Sequence, residues 1–356
     1  MKKWGLMLAA SMGVLPLVAC AGPGAGPGAG TGGEGGEVAA GGSTLQTVLD
    51  RGSLVCGVDG GIPGFSFVED GEYSGLDVDV CKAVAAALFD DPEAVEYRNL
   101  DSTERFEALK GGEVDMLSRN TTWTLSRDTS VGMEFAPTTF YDGQGMMVRE
   151  AEGLAELTDL EGKSVCVETG TTTELNLTDQ MRQLGVSFEP VVFQDADAAY
   201  AAYEEGRCDG MTSDKSQLVA RRSTLSNPEE HVLMEVTMSK EPLGPLTTNN
   251  DSAWFDTVKW VTFALIQAEE LGLDSTNIEA ATSSEDPNVL RFVGAEGTLG
   301  TDMGLPNDFA LRAIKHVGNY GEVYERNLGA DSEFELSRGL NAQWNDGGLL
   351  YSPPFR

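Results

Sequence analysis

Basic residues are scarce in this chain. Its 356 residues carry 24 Lys plus Arg against 57 Asp plus Glu, a formal net charge of −33. That deficit excludes nucleic acid as a partner, because releasing the counterions of a phosphate polyanion takes clustered Lys and Arg. It disfavours an anionic membrane surface for the same reason. Histidine is nearly absent, at 2 residues, and no Cys-x-x-Cys pair occurs. A zinc site therefore lacks its usual ligands, and no metal or cofactor is expected. Long hydrophobic runs are missing too: the apolar stretch from Trp4 to Ala19 falls short of the roughly 20 residues of a membrane-spanning helix. What remains is an ordinary globular composition, 41% hydrophobic, long enough for two folded units each with its own core. The acidity reads as a solubility device.

The amino terminus carries an address. Lys2 and Lys3 precede the apolar stretch, as in an export signal. Leu17-Val18-Ala19-Cys20 resembles the lipobox at which bacterial lipoproteins are cleaved and lipidated on the cysteine. The expectation is a signal peptide over 1–19 and a lipid anchor on Cys20. Residues 20–43 hold 11 Gly and little that can pack, so they read as a disordered tether. Gly-rich coil of that length spans about 25 to 30 Å root-mean-square.

Beyond the tether, the chain alternates between strand and helix patterns. Ser53–Val58 reads as a buried strand followed by a Gly- and Pro-rich loop, Asp59 to Phe67. Leu76 to Phe89 has apolar residues at helical spacing, with Asp77 and Asp79 in the first turn, where the helix dipole favours them. A strand at 94–97, a helix at 103–110 and a strand at 114–117 complete a βαβαβ set. The pattern then repeats: strand 163–168, helix 171–184, strand 186–193, helix 196–205, strand 208–211. Extended pieces at 145–149 and 244–248 join the halves, and a long helix, 254–271, leads into a mostly helical remainder. The prediction is α/β, two doubly wound sheets joined by a two-segment hinge, with lobe one over 44–146 plus 247–356 and lobe two over 147–246. A ligand site then lies in the cleft at the strand ends.

Four further cysteines, Cys56, Cys81, Cys166 and Cys208, form an even set in an exported chain and allow three pairings. If the lobes hinge, crosslinks must stay inside them, which selects Cys56–Cys81 and Cys166–Cys208.

The predicted strand ends hold a recognition set. Ser118-Arg-Asn-Thr-Thr-Trp-Thr-Leu-Ser-Arg127 offers Arg119, Arg127, several hydroxyls and a helix start near Thr124, an environment suited to a carboxylate. Glu168-Thr-Gly-Thr-Thr-Thr-Glu174 supplies hydroxyls and helix-start N–H groups from the other side, and Asp214 an acid suited to an ammonium. A carboxylate clamp plus one acid is what an α-amino acid requires. Each piece has a plainer reading: Thr171 to Thr173 as a helix cap, the arginines as partners of surface acids, Asp214 as an N-cap. Their convergence at matching strand ends favours a site.

Several motifs together resemble a known family. They are Gly75-Leu-Asp-Val-Asp79, Glu113-Val-Asp-Met-Leu-Ser-Arg-Asn-Thr-Thr-Trp-Thr124, Tyr141-Asp-Gly-Gln-Gly145, Glu168-Thr-Gly-Thr-Thr-Thr-Glu-Leu-Asn-Leu177, Ser239-Lys-Glu-Pro-Leu-Gly-Pro245, Ala268-Glu-Glu-Leu-Gly272, Lys315-His-Val-Gly-Asn-Tyr320 and Gly339-Leu-Asn-Ala-Gln-Trp344. From Ser43 to Arg356 the chain is similar to extracytoplasmic solute-binding proteins of polar amino acid ABC transporters, in the branch serving general L-amino acids or glutamate, glutamine, aspartate and asparagine. The resemblance implies a type II periplasmic-binding-protein fold, an L-amino acid ligand, ABC permease subunits as partners, and no catalysis. It carries the ligand carboxylate to Arg127 and the lobe-two donor to Thr172. It carries the ammonium-binding acid to Asp214 and acceptors to Asn120 and Thr122. Where many relatives have an aromatic residue in the first loop, this chain has Ile62. Arg119, absent from many relatives, suits a second carboxylate or amide.

Two other classes share such a fold. An enzyme, a periplasmic dehydratase or lytic transglycosylase, needs a general acid or base in the cleft, and neither His lies in a cleft motif. A sensory ectodomain needs a partner to signal across a membrane.

Overall fold

The computed structural model describes residues 43–356. The signal segment 1–19, Cys20 and the tether up to residue 42 lie outside the described residues.

Two five-stranded sheets organise the chain, and they have the same plan. In the first, Val95–Asn99, Leu54–Val58 and Met116–Leu117 run parallel, in that spatial order. Leu246–Thr248 and then Met133–Phe135 follow, each antiparallel to its neighbour. In the second, Glu189–Phe193, Ser164–Glu168 and Gly210–Asp214 form the parallel trio, extended by antiparallel Gln144–Arg149 and His231–Leu233. The repeat expected from the sequence is thus a repeat of topology. Each sheet takes its fourth strand from next to a crossing. Just before those two strands, Phe140–Asp142 and Glu241–Leu243 pair antiparallel, and this ribbon carries the chain from one sheet to the other and back.

Alternation along the central strands places apolar residues on both faces of each sheet. Leu54, Cys56 and Val58 join one core, while Val55 joins another with Leu117, Phe135 and Leu246. In the second sheet Cys166 and Met147 face the helix Ala196–Glu204, and Val165, Val167, Met146 and Val148 face Thr172–Leu184. Burial on both faces is what a helix-covered parallel sheet requires. The carboxy-terminal helices Ser252–Glu270, Phe309–Val317 and Tyr320–Asn327 pack on Leu76–Phe89 in the first core.

Leu76–Phe89 spans the expected residues. It begins at Gly75, whose φ of +124° and closeness to the Phe65 carbonyl, 2.1 Å from an added Cβ, leave room only for glycine. The Asp59–Phe67 stretch is not a plain loop. Pro63-Gly64 turns the chain so that Gly61–Ile62 and Ser66–Glu69 pair antiparallel, and Glu72–Ser74 adds a third strand. Ile62 and Phe65 are buried and anchor this small sheet to the first core.

Both disulfides join the expected partners. Cys56 on the central strand bonds Cys81 on the helix behind it, 25 residues on, and Cys166 bonds Cys208, 42 residues on. Each stays within one sheet and its helices, so neither crosslinks the two halves. Replacing Cys166 and Cys208 together by alanine is expected to cost about 3 to 4 kcal/mol by loop entropy, seen as a lower urea midpoint with ligand binding retained. In non-reducing peptide mapping, a Cys81–Cys166 peptide contradicts the pairing.

Candidate functional site

In both sheets the first strand lies between the second and the third, so crevices open at the carboxyl ends of the first and third strands. Asp59 follows Val58, and Ser118, Arg119 and Asn120 follow Leu117. Glu168 ends its strand, and Asp214 ends Gly210–Asp214, which runs three residues beyond the predicted end. Of these, Arg119, Asn120, Glu168 and Asp214 line one cavity. All six residues singled out from the sequence, Arg119, Asn120, Thr122, Arg127, Thr172 and Asp214, line it, together with Ile62, Arg105 and Glu168.

Charge sets this cavity apart. Arg105, Arg119 and Arg127 are the buried Lys or Arg residues among the described ones, and all three line it. Thr124 caps the short helix Leu125–Thr129 by accepting from the Arg127 amide at 3.3 Å. This aims the Arg127 guanidinium back to donate to the Thr122 carbonyl at 2.8 Å, with the Phe106 ring 5.4 Å away. Burial lowers the Arg127 pKa to about 10, opposed by Glu241 and Asp214. Arg119 reaches across the seam: its guanidinium pairs with Asp59 at 2.6 Å and approaches Glu168 of the second sheet at 3.8 Å, while Nε donates to the Leu100 carbonyl. Arg105 is 2% exposed and its Nε has no partner. Burial, then Arg119 and Arg127, drive its pKa well below the ordinary value. Three guanidiniums held this way answer an anion.

The acids are placed to answer a cation. Asp214 stands at the N-cap of Lys215–Ser223 but makes no capping bond, and its Oδ1 is buried without a partner. Burial, then Asp142 and Glu241, push its pKa well up. A cation beside it would oppose that shift. Asn120 has φ +43°, and both polar atoms of its side chain are buried and unpartnered. Its backbone N–H donates to Asp77 at 2.7 Å, and the Ser118 hydroxyl donates to the other oxygen. Asp77 thus holds the loop that presents Asn120. Burial raises the Asp77 carboxyl to about 7.

Thr171, not Thr172, caps the helix Thr172–Leu184. The Thr172 hydroxyl lies 3.3 Å from the Thr122 hydroxyl, so the two halves touch here. Both hydroxyls donate to one oxygen of Glu241, at 2.6 Å from Thr122 and 2.9 Å from Thr172. A second, wider cavity shares Arg119 and Glu168 with the first and continues past Asp59, Asn99, Asp195, Asp197 and Arg221.

The sequence signature of bacterial extracellular solute-binding proteins, family 3, matches residues 54–272, and relatives at nearly half identity span almost the whole chain. The chain belongs to that family. The general L-amino acid-binding periplasmic protein AapJ of Rhizobium johnstonii is 48% identical over 324 residues, 90% of this chain and 95% of its own. The glutamate/glutamine/aspartate/asparagine-binding protein BztA of Rhodobacter capsulatus is 47% identical over 89% of this chain and 95% of its own. A solved Brucella ovis periplasmic binding protein with glutathione bound is 48% identical, with a TM-score of 0.86 over 88% of this chain and 100% of its own. The family 3 solute-binding proteins are two-lobed, and this chain's paired sheets and connecting ribbon have that architecture.

Sequence reasoning did not single out Arg105 or Glu241. For Arg105 a signal existed: with Ala108 and Leu109 it occupies i, i+3, i+4 of the helix Arg105–Lys110, all three buried. A charged residue on an apolar helix face marks a functional cavity. Glu241 sits on a strand of three residues, too short for any periodicity to show burial.

The Asp77 carboxyl yields a pH prediction. Its folded pKa of about 7 lies above its unfolded value, so the stability it contributes is full below pH 4 and is lost as pH rises through 7. Asp77→Asn removes that loss. In urea unfolding, the stability difference, variant minus wild type, should grow in the variant's favour from pH 4 to pH 8. A flat difference contradicts the assignment.

Proposed function

We propose that this chain captures L-amino acids outside the cytoplasm, across a broad range that includes acidic and amide side chains, and delivers them to an ABC permease. The observation that carries this reading is the gathering of Arg105, Arg119 and Arg127 at one cavity that also holds an acid with an unpartnered oxygen, Asp214. An α-carboxylate suits the first and an α-ammonium the second. What AapJ and BztA are named as binding supports the same class, and the name of BztA supports side chains ending in carboxylate or amide. Arg119 and the second cavity suit such a side chain. The glutathione bound to the Brucella ovis relative adds γ-glutamyl peptides to the ligands worth testing.

The lobes in this reading are 44–146 plus 247–356 and 147–246, hinged where the chain passes between sheets. The family's relatives are binding proteins, and no reaction is proposed here. Export and lipidation at Cys20 hold the protein at the outer face of a membrane. No helix among the described residues is long and apolar enough to cross one.

Calorimetry with the twenty amino acids and glutathione tests the ligand class. Arg127→Ala strands a desolvated carboxylate, a loss of about 2 to 5 kcal/mol, or roughly 30-fold and more, and Asp214→Asn should weaken binding by a similar order. Arg119→Lys keeps the charge beside Asp59 but loses the planar fork, so it should weaken glutamate and glutamine more than alanine. Unchanged affinity for every amino acid in Arg127→Ala refutes the site. For the anchor, intact mass of the mature protein should show acyl chains on Cys20, and Cys20→Ala should release the protein from membranes.

A further inference from the structure

Four motifs of the sequence have no part in the cavity: Tyr141-Asp-Gly-Gln-Gly145, Ala268-Glu-Glu-Leu-Gly272, Asn319-Tyr320 and Gly339-Leu-Asn-Ala-Gln343. The structure gathers them behind the ribbon that joins the sheets. Two of them lie beyond residue 272, where the family signature ends. Asn341, buried at 4% exposure, is the centre of the group. Its Oδ1 accepts from the Tyr141 amide at 2.6 Å, and its Nδ2 donates to the Tyr141 carbonyl at 3.3 Å. The Tyr320 hydroxyl holds the same crossing two residues earlier, donating to the Thr139 carbonyl at 2.6 Å. Asn341 is itself fixed. Its carbonyl accepts from Arg338 Nε, the Arg338 guanidinium makes two bonds to Glu269 at 3.0 and 3.1 Å, and Gln343 donates to the Ile266 carbonyl of the same long helix. All of these groups belong to the first half.

The second half takes over at the next residue. The Asp142 carboxylate accepts from the Ser216 amide and hydroxyl, and the Gly143 carbonyl from the Lys215 amide at 2.9 Å, both at the start of Lys215–Ser223. A residue has two soft backbone dihedrals, so holding both the N–H and the C=O of Tyr141 fixes the peptide planes on either side of its Cα and leaves neither dihedral free. On the return crossing the register partner of Tyr141 is Pro242. Its ring fixes φ, and its carbonyl accepts from the Trp123 amide of the first half at 2.8 Å, while Met238, a few residues earlier, is bonded to Gln144 of the second. Both crossings are thus tied to the first half up to the same rung. We infer that Asn341 is a positioning residue that sets the pivot of the hinge, confining rotation to residues 142–143 on one crossing and 239–241 on the other. It does not latch the halves together. Residues 336–341 face Lys215, Ser216 and Val219 across a cavity, and no side-chain hydrogen bond among the described residues spans it. The clamp therefore holds in open and closed forms alike, and losing it adds freedom at Tyr141 chiefly to the open form, which lacks the seam contacts.

This inference rests on the hinged reading above, and its test separates the two. Spin labels on Glu113→Cys and Gln183→Cys, exposed positions at the ends of the two halves away from the seam, report the distribution of distances between them by pulsed electron resonance. Asn341→Ala, and Asn341→Leu, which keeps the volume without the polar groups, should broaden the ligand-free distribution at least 1.5-fold. With saturating glutamate the width should return to that of wild type. Affinities for glutamate and glutamine should fall by a common factor of about 5, the entropy of one freed backbone residue, with their ratio unchanged. A side chain that only supports the local fold lowers the urea midpoint and leaves the width as it was. Unchanged width in both variants overturns the inference, as does a changed ratio, which puts the effect at the ligand. If neither variant folds, hydrogen exchange in ligand-free wild type decides: the Tyr141 amide should exchange at least 10-fold more slowly than that of Gly143, and equal rates overturn the clamp. A wild-type distance that is the same with and without glutamate and glutamine overturns the hinged reading itself.

Discussion

Opposite charges buried at the seam between two sheets must be balanced from both sides, and the rest of the site follows from that constraint. Arg119 shows it most directly. The cation stands at a strand end of the first sheet, one of its acids, Asp59, at another, and Glu168 ends a strand of the second. A buried ion is tolerated only when paired and hydrogen-bonded. Neither half supplies the full complement, so closing the seam completes the pairing, and opening it returns the charges to water. In the proposed reading, a ligand carrying one positive and one negative group would enter the same balance, with its anionic end at Arg105 and Arg127 and its cationic end at Asp214.

Repeated topology makes this balance possible. Each sheet places its first and third strands side by side with their carboxyl ends toward the seam, so each contributes loops of the same kind at the same place. The disulfides reinforce the halves separately. Asp77 and Gly75 do the same at finer scale, one holding the Asn120 loop by its backbone, the other admitting the Phe65 carbonyl against the start of the helix. The two crossings between the halves pair as one thin ribbon, Phe140–Asp142 with Glu241–Leu243, which is where the proposed hinge would lie.

Much of this was legible in the sequence because the signals were periodic or chemically strict. Leu76–Phe89 showed its helical stripe and acidic first turn, and the two βαβαβ sets showed the alternation of a doubly wound sheet. The six site residues came from polar runs placed just beyond those strands, and the structure gathers all of them at one cavity. Asp59 to Phe67 was misread as a loop because strands of two to four residues fall below the length at which alternation can be counted. Arg105 escaped because in a six-residue helix that also carries Glu107 and Lys110 it reads as surface until its apolar neighbours are placed on the same face. Glu241 escaped because three of its four side-chain partners are distant in sequence, Thr122 being 119 residues away.

The surplus of acid and the cationic cavity belong to different length scales. A net charge of −33 repels an anionic ligand at long range, but at physiological salt that field is screened within about 8 to 10 Å of the surface. Inside the cavity the screening is gone, and three buried guanidiniums act at contact distance in a medium of lower dielectric, where each interaction is several times stronger than in water. In the proposed reading, selection for a carboxylate would therefore be made after entry, by these buried groups. The surface can be as acidic as solubility favours without changing what the site holds, because the cations that matter are the few that the fold has taken out of water.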